Sequence, residues 1–107
     1  MPLKVLQETF RAWLDMMPPR PPRLHVTGTV EAPTLGWSVT LEKARPQGTN
    51  PTIIILEIRA TEPSGPSGDQ IEPHHLRYDE SPAEERYRQA TIRYEGLEFT
   101  IPVQITT

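Results

Sequence analysis

From Leu24 onward, apolar side chains return at every second position in run after run, and prolines and glycines separate the runs. Alternation of this kind sends one set of side chains to one face of an extended strand and the rest to the other. It commits most of the chain to half-buried β-sheet. Leu24, Val26 and Val30 share one face of the first run, with His25, Thr27, Thr29 and Glu31 opposite. Trp37, Val39 and Leu41 repeat the pattern. Ile54, Leu56, Ile58 and Ala60 line a fuller run, in which Ile53 and Ile55 add apolar groups to the other side, as a strand covered on both faces near its start requires. Leu76 and Tyr78, then Ala90, Ile92 and Tyr94, then Leu97, Phe99, Ile101, Val103 and Ile105 complete six strands. Glu95-Gly96 is a two-residue link suited to a hairpin. Pro102 cannot donate to a ladder, so the last strand is expected at an edge or with a bulge at that point.

The punctuation agrees. The chain holds 13 prolines in 107 residues, more than double the usual ~5%, and most fall between the runs. The segments EAPTLG, ARPQGTNP and TEPSGPSGDQ have the composition of surface turns. SPAEE places Ser81 as an N-cap with Pro82 in first position and Glu84 able to reach back, which predicts one helical turn between two strands.

Before the first proline cluster the period differs. At steps of about 100°, Leu3, Leu6, Phe10, Trp13, Leu14 and Met17 fall within an arc of about 100°, and Lys4, Glu8, Arg11 and Asp15 fall opposite. Pro2 suits a first helical turn and Pro18 disfavours helical geometry at Met17. The spacing predicts an amphipathic helix over 1–17, a proline-rich spacer over 18–23 and a β-domain over 24–107. Strands of this number and spacing favour a small antiparallel sandwich of six or seven strands over a closed barrel.

The stretch LHVTGTVEAPTLGWSVTLEKARPQGTNPTIIILEI, with TEPSGPSGDQ and LRYDE, resembles small bacterial domains with an immunoglobulin-like β-sandwich. The resemblance covers about residues 24 to 105 and leaves the N-terminal segment outside. It implies a fold and brings no catalytic motif with it.

Composition narrows the function. A chain of 107 residues buries roughly 65% of its unfolded surface, enough for one core without metal or disulfide staples. The absence of cysteine removes disulfides, thiolate metal sites and cysteine nucleophiles. A net charge of −3 gives no general attraction to nucleic acid. Charges interrupt the apolar N-terminus as they would not in a signal peptide, and nowhere do about 18 apolar residues run together. A cytoplasmic protein without membrane or nucleic-acid partners is expected.

Chemistry-bearing residues are sparse. His74 and His75 are adjacent, so on a strand they face opposite ways; Glu72 with His74 supplies two ligands where zinc takes three or four. His25 stands alone on its run. Ser64 and Ser67 lie in a turn rather than a nucleophile elbow, and no phosphate-binding or dinucleotide glycine motif occurs. YDESPAEE is acidic but lacks the alternating oxygen ligands of a calcium loop. Neither enzymatic activity nor a cofactor is expected. Arg59, Arg77 and Arg93 are placed outward by their strands and form a candidate anion-binding stripe, with Glu57, Asp79 and Glu98 as the carboxylates that would neutralise it.

Pro18, Pro21 and Arg23 satisfy P-x-x-P-x-R, a polyproline ligand pattern, although a stiff spacer explains the same residues. The apolar helix face needs a cover, which the open side of the chain's own sandwich at Ile53 and Ile55, a neighbouring copy or a different protein would supply. The expected function is a non-catalytic protein-interaction domain, self-associating or docking through Leu6, Phe10, Trp13, Leu14 and Met17, with a homodimer as one form. The alternative is a small-molecule or carbohydrate-binding module that uses outward aromatic and polar groups of one sheet.

Overall fold

The computed structural model describes residues 3–65 and 68–107. Seven strands form it: β1 (Lys4–Asp15), β2 (Arg23–Ala32), β3 (Ser38–Lys43), β4 (Ile53–Thr61), β5 (Glu72–Glu80), β6 (Gln89–Tyr94) and β7 (Leu97–Thr106). Strands β2 to β7 coincide with the six alternating runs. No helix is present among the described residues.

The expected N-terminal helix is instead β1. The reason lies in its pairing with β2: Leu6 faces Thr29 and Arg11 faces Thr27, so five steps along β1 match two along β2 and three residues are extra. An odd insertion reverses which face each later side chain takes. Leu3 is buried before the bulge, whereas Phe10, Ala12 and Leu14 are buried after it. Two period-two runs in opposite phase thereby imitate a helical spacing. Side chains replace the lost ladder bonds. Thr9 Oγ1 accepts the Thr29 N–H at 2.9 Å and donates to Leu6 O at 2.6 Å. The Arg11 guanidinium donates to the carbonyls of Glu8 and Phe10 at 2.8 and 2.9 Å.

The immunoglobulin-like sandwich is corrected as well. All seven strands belong to one sheet in the order β3-β4-β6-β7-β1-β2-β5. It curls into a nearly closed barrel whose end strands, β3 and β5, approach each other. Two of the six ladders, β4 with β6 and β7 with β1, are parallel. The barrel is elongated: its radius of gyration is 15.0 Å, against about 13 Å for a compact chain of this length.

Pro102 is not at an edge but inside the sheet, where β7 changes neighbours. Residues Leu97 to Pro102 pair with β6, and Val103 to Thr106 pair with β1. The Val103 N–H goes to Arg88 O at 2.9 Å, so alternate residues, Pro102 among them, direct their nitrogens away from β6. Pairing with β1 starts one residue later, so no ladder bond is lost. The bulged stretch of β1 and this part of β7 diverge around a cleft of about 310 Å³, lined by Phe10, Arg11 and Ile101 among others.

Leu14, Leu24, Val26, Val30, Ile54, Leu56 and Ile92 fill the centre without measurable exposure; each contributes roughly 1.5–3 kcal/mol by leaving water. On the outer side of β4, the β3–β4 loop covers Ile55, where the Gln47 amide exchanges bonds of 2.8 and 2.7 Å with the Ile55 N–H and carbonyl. The outer side of Ile55 is thus covered by a loop of the same chain.

The proline run over 18–22 closes the β1–β2 hairpin. Arg23 Nη2 donates to Asp15 Oδ2 at 2.7 Å, and Pro22 O accepts the Ala83 N–H at 2.8 Å. The helical turn expected at SPAEE is a plain turn. Glu84 does not cap Ser81, because its carboxylate takes the Arg86 N–H and guanidinium at 3.1–3.3 Å.

Candidate functional site

Alternation brings the most chemically varied side chains together outside β1, β2 and β5. Register aligns Gln104, Trp13, His25 and Asp79 in one row across four strands. Asp15 and Arg23 flank it on one side, and Arg11, Thr27 and Arg77 on the other. The Trp13 indole lies against the His25 imidazole, centroids 5.3 Å apart at 39°. His25 Nδ1 lies 2.5 Å from Asp79 Oδ1, and Arg77 Nε is 3.0 Å from both Asp79 oxygens.

With the His25 Nδ1–H donating, imidazole and guanidinium both address one carboxylate. These bonds, His25's first, hold Asp79 below the ordinary aspartate value against slight desolvation. Asp15 is lowered in the same direction, chiefly by the Met17 N–H and then by Arg23. The row therefore presents an aromatic body between two charged pairs. It offers hydrogen bonding and stacking.

A second polar cluster ties the barrel at its unclosed seam. Glu80 accepts the hydroxyls of Tyr78 at 2.6 Å and Tyr87 at 2.8 Å, and Lys43 Nζ reaches it from β3 at 3.2 Å. Burial first, then the neighbouring Glu80, pushes both tyrosines well above their ordinary value of 10.0. Burial also raises Tyr94, whose hydroxyl oxygen accepts the Leu3 N–H.

The residues expected to bind a partner do not share a face. Phe10 and Leu14 are in the core at 2% and 0% exposure, and Leu6 is half-buried in the bulged strand. Trp13 points outward from β1, and Met17 is exposed in the hairpin loop. The three arginines do not form a stripe either. Arg59 pairs with Glu57 and Glu42, Arg77 with Asp79, and Arg93 with Glu98 at 2.7 Å. Arg93 sits opposite Glu57 on the β4–β6 side, whereas Arg77 belongs to β5 at the end of the strand order.

His74 and His75 face opposite ways. His75 Nδ1 meets Thr29 Oγ1 at 3.0 Å; His74 Nε2 is 3.1 Å from Glu72 Oε1 but without hydrogen-bond geometry. No group of three metal-ligating side chains occurs among the described residues. Ser64 is exposed in the β4–β5 loop, and Ser67 lies outside the described residues. No helix among them is long and apolar enough to cross a membrane.

The His25–Asp79 pair and the Glu80 cluster are not readable as sites in the sequence, since 54 positions separate His25 from Asp79. The one signal was the outward phase of His25 and Asp79 on their own strands.

Fold and site together define an all-β, barrel-like domain with a polar, aromatic-centred outer sheet face. No family model, curated protein or solved structure matches the chain.

Proposed function

We propose that the chain is a non-catalytic protein-interaction domain whose contact surface is the outer face of β1, β2 and β5. The observation that supports this is Trp13, set against His25 on an otherwise polar sheet face and flanked by the Asp15–Arg23 and Arg77–Asp79 pairs. Tryptophan and arginine are the side chains that most often dominate binding energy at protein surfaces. Arginines and aspartates on one face also make it complementary to itself across a twofold axis, so a second copy of the chain is the simplest partner.

The carbohydrate-binding alternative has less support. A sugar platform needs several coplanar outward aromatics, and the other indole, Trp37, packs against the core and donates to Thr34 Oγ1 at 3.0 Å.

Sedimentation velocity over a hundredfold range of concentration tests the reading. A dimer that Trp13→Ala or Arg77→Glu converts to a folded monomer is the expected result. A monomer throughout, with identical behaviour in the variants, would remove self-association from consideration.

A further inference from the structure

Where β3 and β5 approach without pairing, a cleft of about 450 Å³ opens over the free edge of β3, lined by Leu41, Glu42, Lys43, Arg45, Arg59 and Tyr78. Three cations and one carboxylate line it, in a chain whose net charge is −3. Its lining therefore carries more cations than carboxylates, with Glu57 and Glu80 beside it.

Most donors of these cations are not used within the chain. Lys43 Nζ spends one bond on Glu80, which lies deeper in the seam and is shared with two tyrosine hydroxyls. Arg59 turns Nη2 toward Glu57 at 3.2 Å and approaches Glu42 at 3.4 Å; Glu42 itself accepts the Thr40 hydroxyl at 2.7 Å. Arg45 forms no ion pair with a carboxylate among the described residues. Guanidinium groups match the oxygens of a phosphoryl group in charge and in planar geometry.

The remaining lining is apolar. Leu41 is 5% exposed, and the Tyr78 ring is fixed by its hydroxyl bond to Glu80.

We propose that this seam cleft binds a small organic phosphate, the phosphoryl group between Arg45 and Arg59 beside Lys43, and a flat apolar portion against Leu41 and Tyr78. The site is separate from the outer face of β1, β2 and β5, and it stands or falls independently of self-association.

The test is a titration of the full ¹⁵N-labelled chain with phenyl phosphate, inorganic phosphate and benzoate at constant ionic strength, followed by amide and arginine side-chain resonances. Phenyl phosphate should saturate shifts at residues 41–45, 59 and 78 with a dissociation constant near or below about 1 mM, several-fold tighter than inorganic phosphate. Arg45→Gln with Arg59→Gln should weaken it at least tenfold while the rest of the spectrum keeps its dispersion. Arg77→Gln with Arg93→Gln should leave it unchanged.

Absence of saturation by about 20 mM, well above that range, would overturn the assignment. So would shifts of equal size at Arg23, Arg77 and Arg93, which mean unspecific charge attraction. Benzoate binding as tightly as phenyl phosphate would overturn the phosphate class.

Discussion

The Phe10 ring lies across the backbone of Gly28: a Cβ on that glycine would stand 2.3 Å from Phe10 Cδ2. Gly28 falls opposite the β1 bulge, in the gap between the Leu6–Thr29 and Arg11–Thr27 pairs. The absent side chain is what lets the bulge turn Phe10 inward, where it meets Phe99 edge-on at 5.3 Å. Gly28→Ala should therefore destabilise the fold by about 3 kcal/mol, through overpacking against the buried Phe10 ring. Urea unfolding reads the loss. In a Phe10→Ala background, itself costly, the same substitution should cost much less, because the two sites share one contact.

The chain begun at Met17 should fail to fold. It lacks β1, which pairs with β2 on one side and β7 on the other and supplies Phe10, Ala12 and Leu14 to the core. Circular dichroism and amide dispersion check this. A folded, cooperative fragment would mean that the β1 pairing is dispensable.

The legible part of the fold was the part with one unbroken phase. Along β2, Leu24, Val26 and Val30 keep alternate positions inward throughout, so their strand could be read directly. In and just before β1, Leu14 and Leu3 are both interior although they stand eleven positions apart, an odd number, and period two fails unless the bulge is known. The edge or bulge expected at Pro102 is instead a change of partner from β6 to β1, which a reading of β1 as a helix excludes. The candidate site was hidden for a different reason. His25 and Asp79 are neighbours by cross-strand register alone, and register between distant strands has no local signature. Charge pairing was partly accessible: Glu57, Asp79 and Glu98 are the carboxylates that the arginines meet, but only Arg93 and Glu98 pair across strands, while the other two pairs stand two residues apart on one strand.

Acid should loosen the outer face before the core. Asp79 and Asp15 have folded-state values below the ordinary 3.8. Their contribution is complete above 3.8 and is lost as pH falls through the lowered folded values. Asp79 is half exposed, which keeps its share small. Melting temperatures measured from about pH 6 down to about pH 2 should decline, and Asp79→Asn should give a shallower decline by removing one of the groups that must be protonated. An unchanged slope would show that Asp79 gains nothing from His25 and Arg77 in the folded chain.

At the seam, Glu80 joins elements that no backbone ladder joins: β5 itself, Lys43 of β3 and Tyr87 from the loop before β6. A glutamine in its place keeps one carbonyl acceptor, turns the other position into a donor, and leaves Lys43 without its counter-charge. Glu80→Gln should cost roughly 1–3 kcal/mol, the range for hydrogen bonds to a charged partner that are broken in place. The tyrosines supply an independent readout. Their raised values mean that the native state holds its phenol protons more tightly than the unfolded chain. The associated stability is complete below 10.0 and declines as pH rises above it toward the folded values. Followed by phenolate absorbance, Tyr78 and Tyr87 should ionise later than free tyrosine in the native protein, and closer to 10.0 in Glu80→Gln, though still above it because burial remains. If the variant leaves both titrations where they were, burial alone sets them, and Glu80 does not hold the seam.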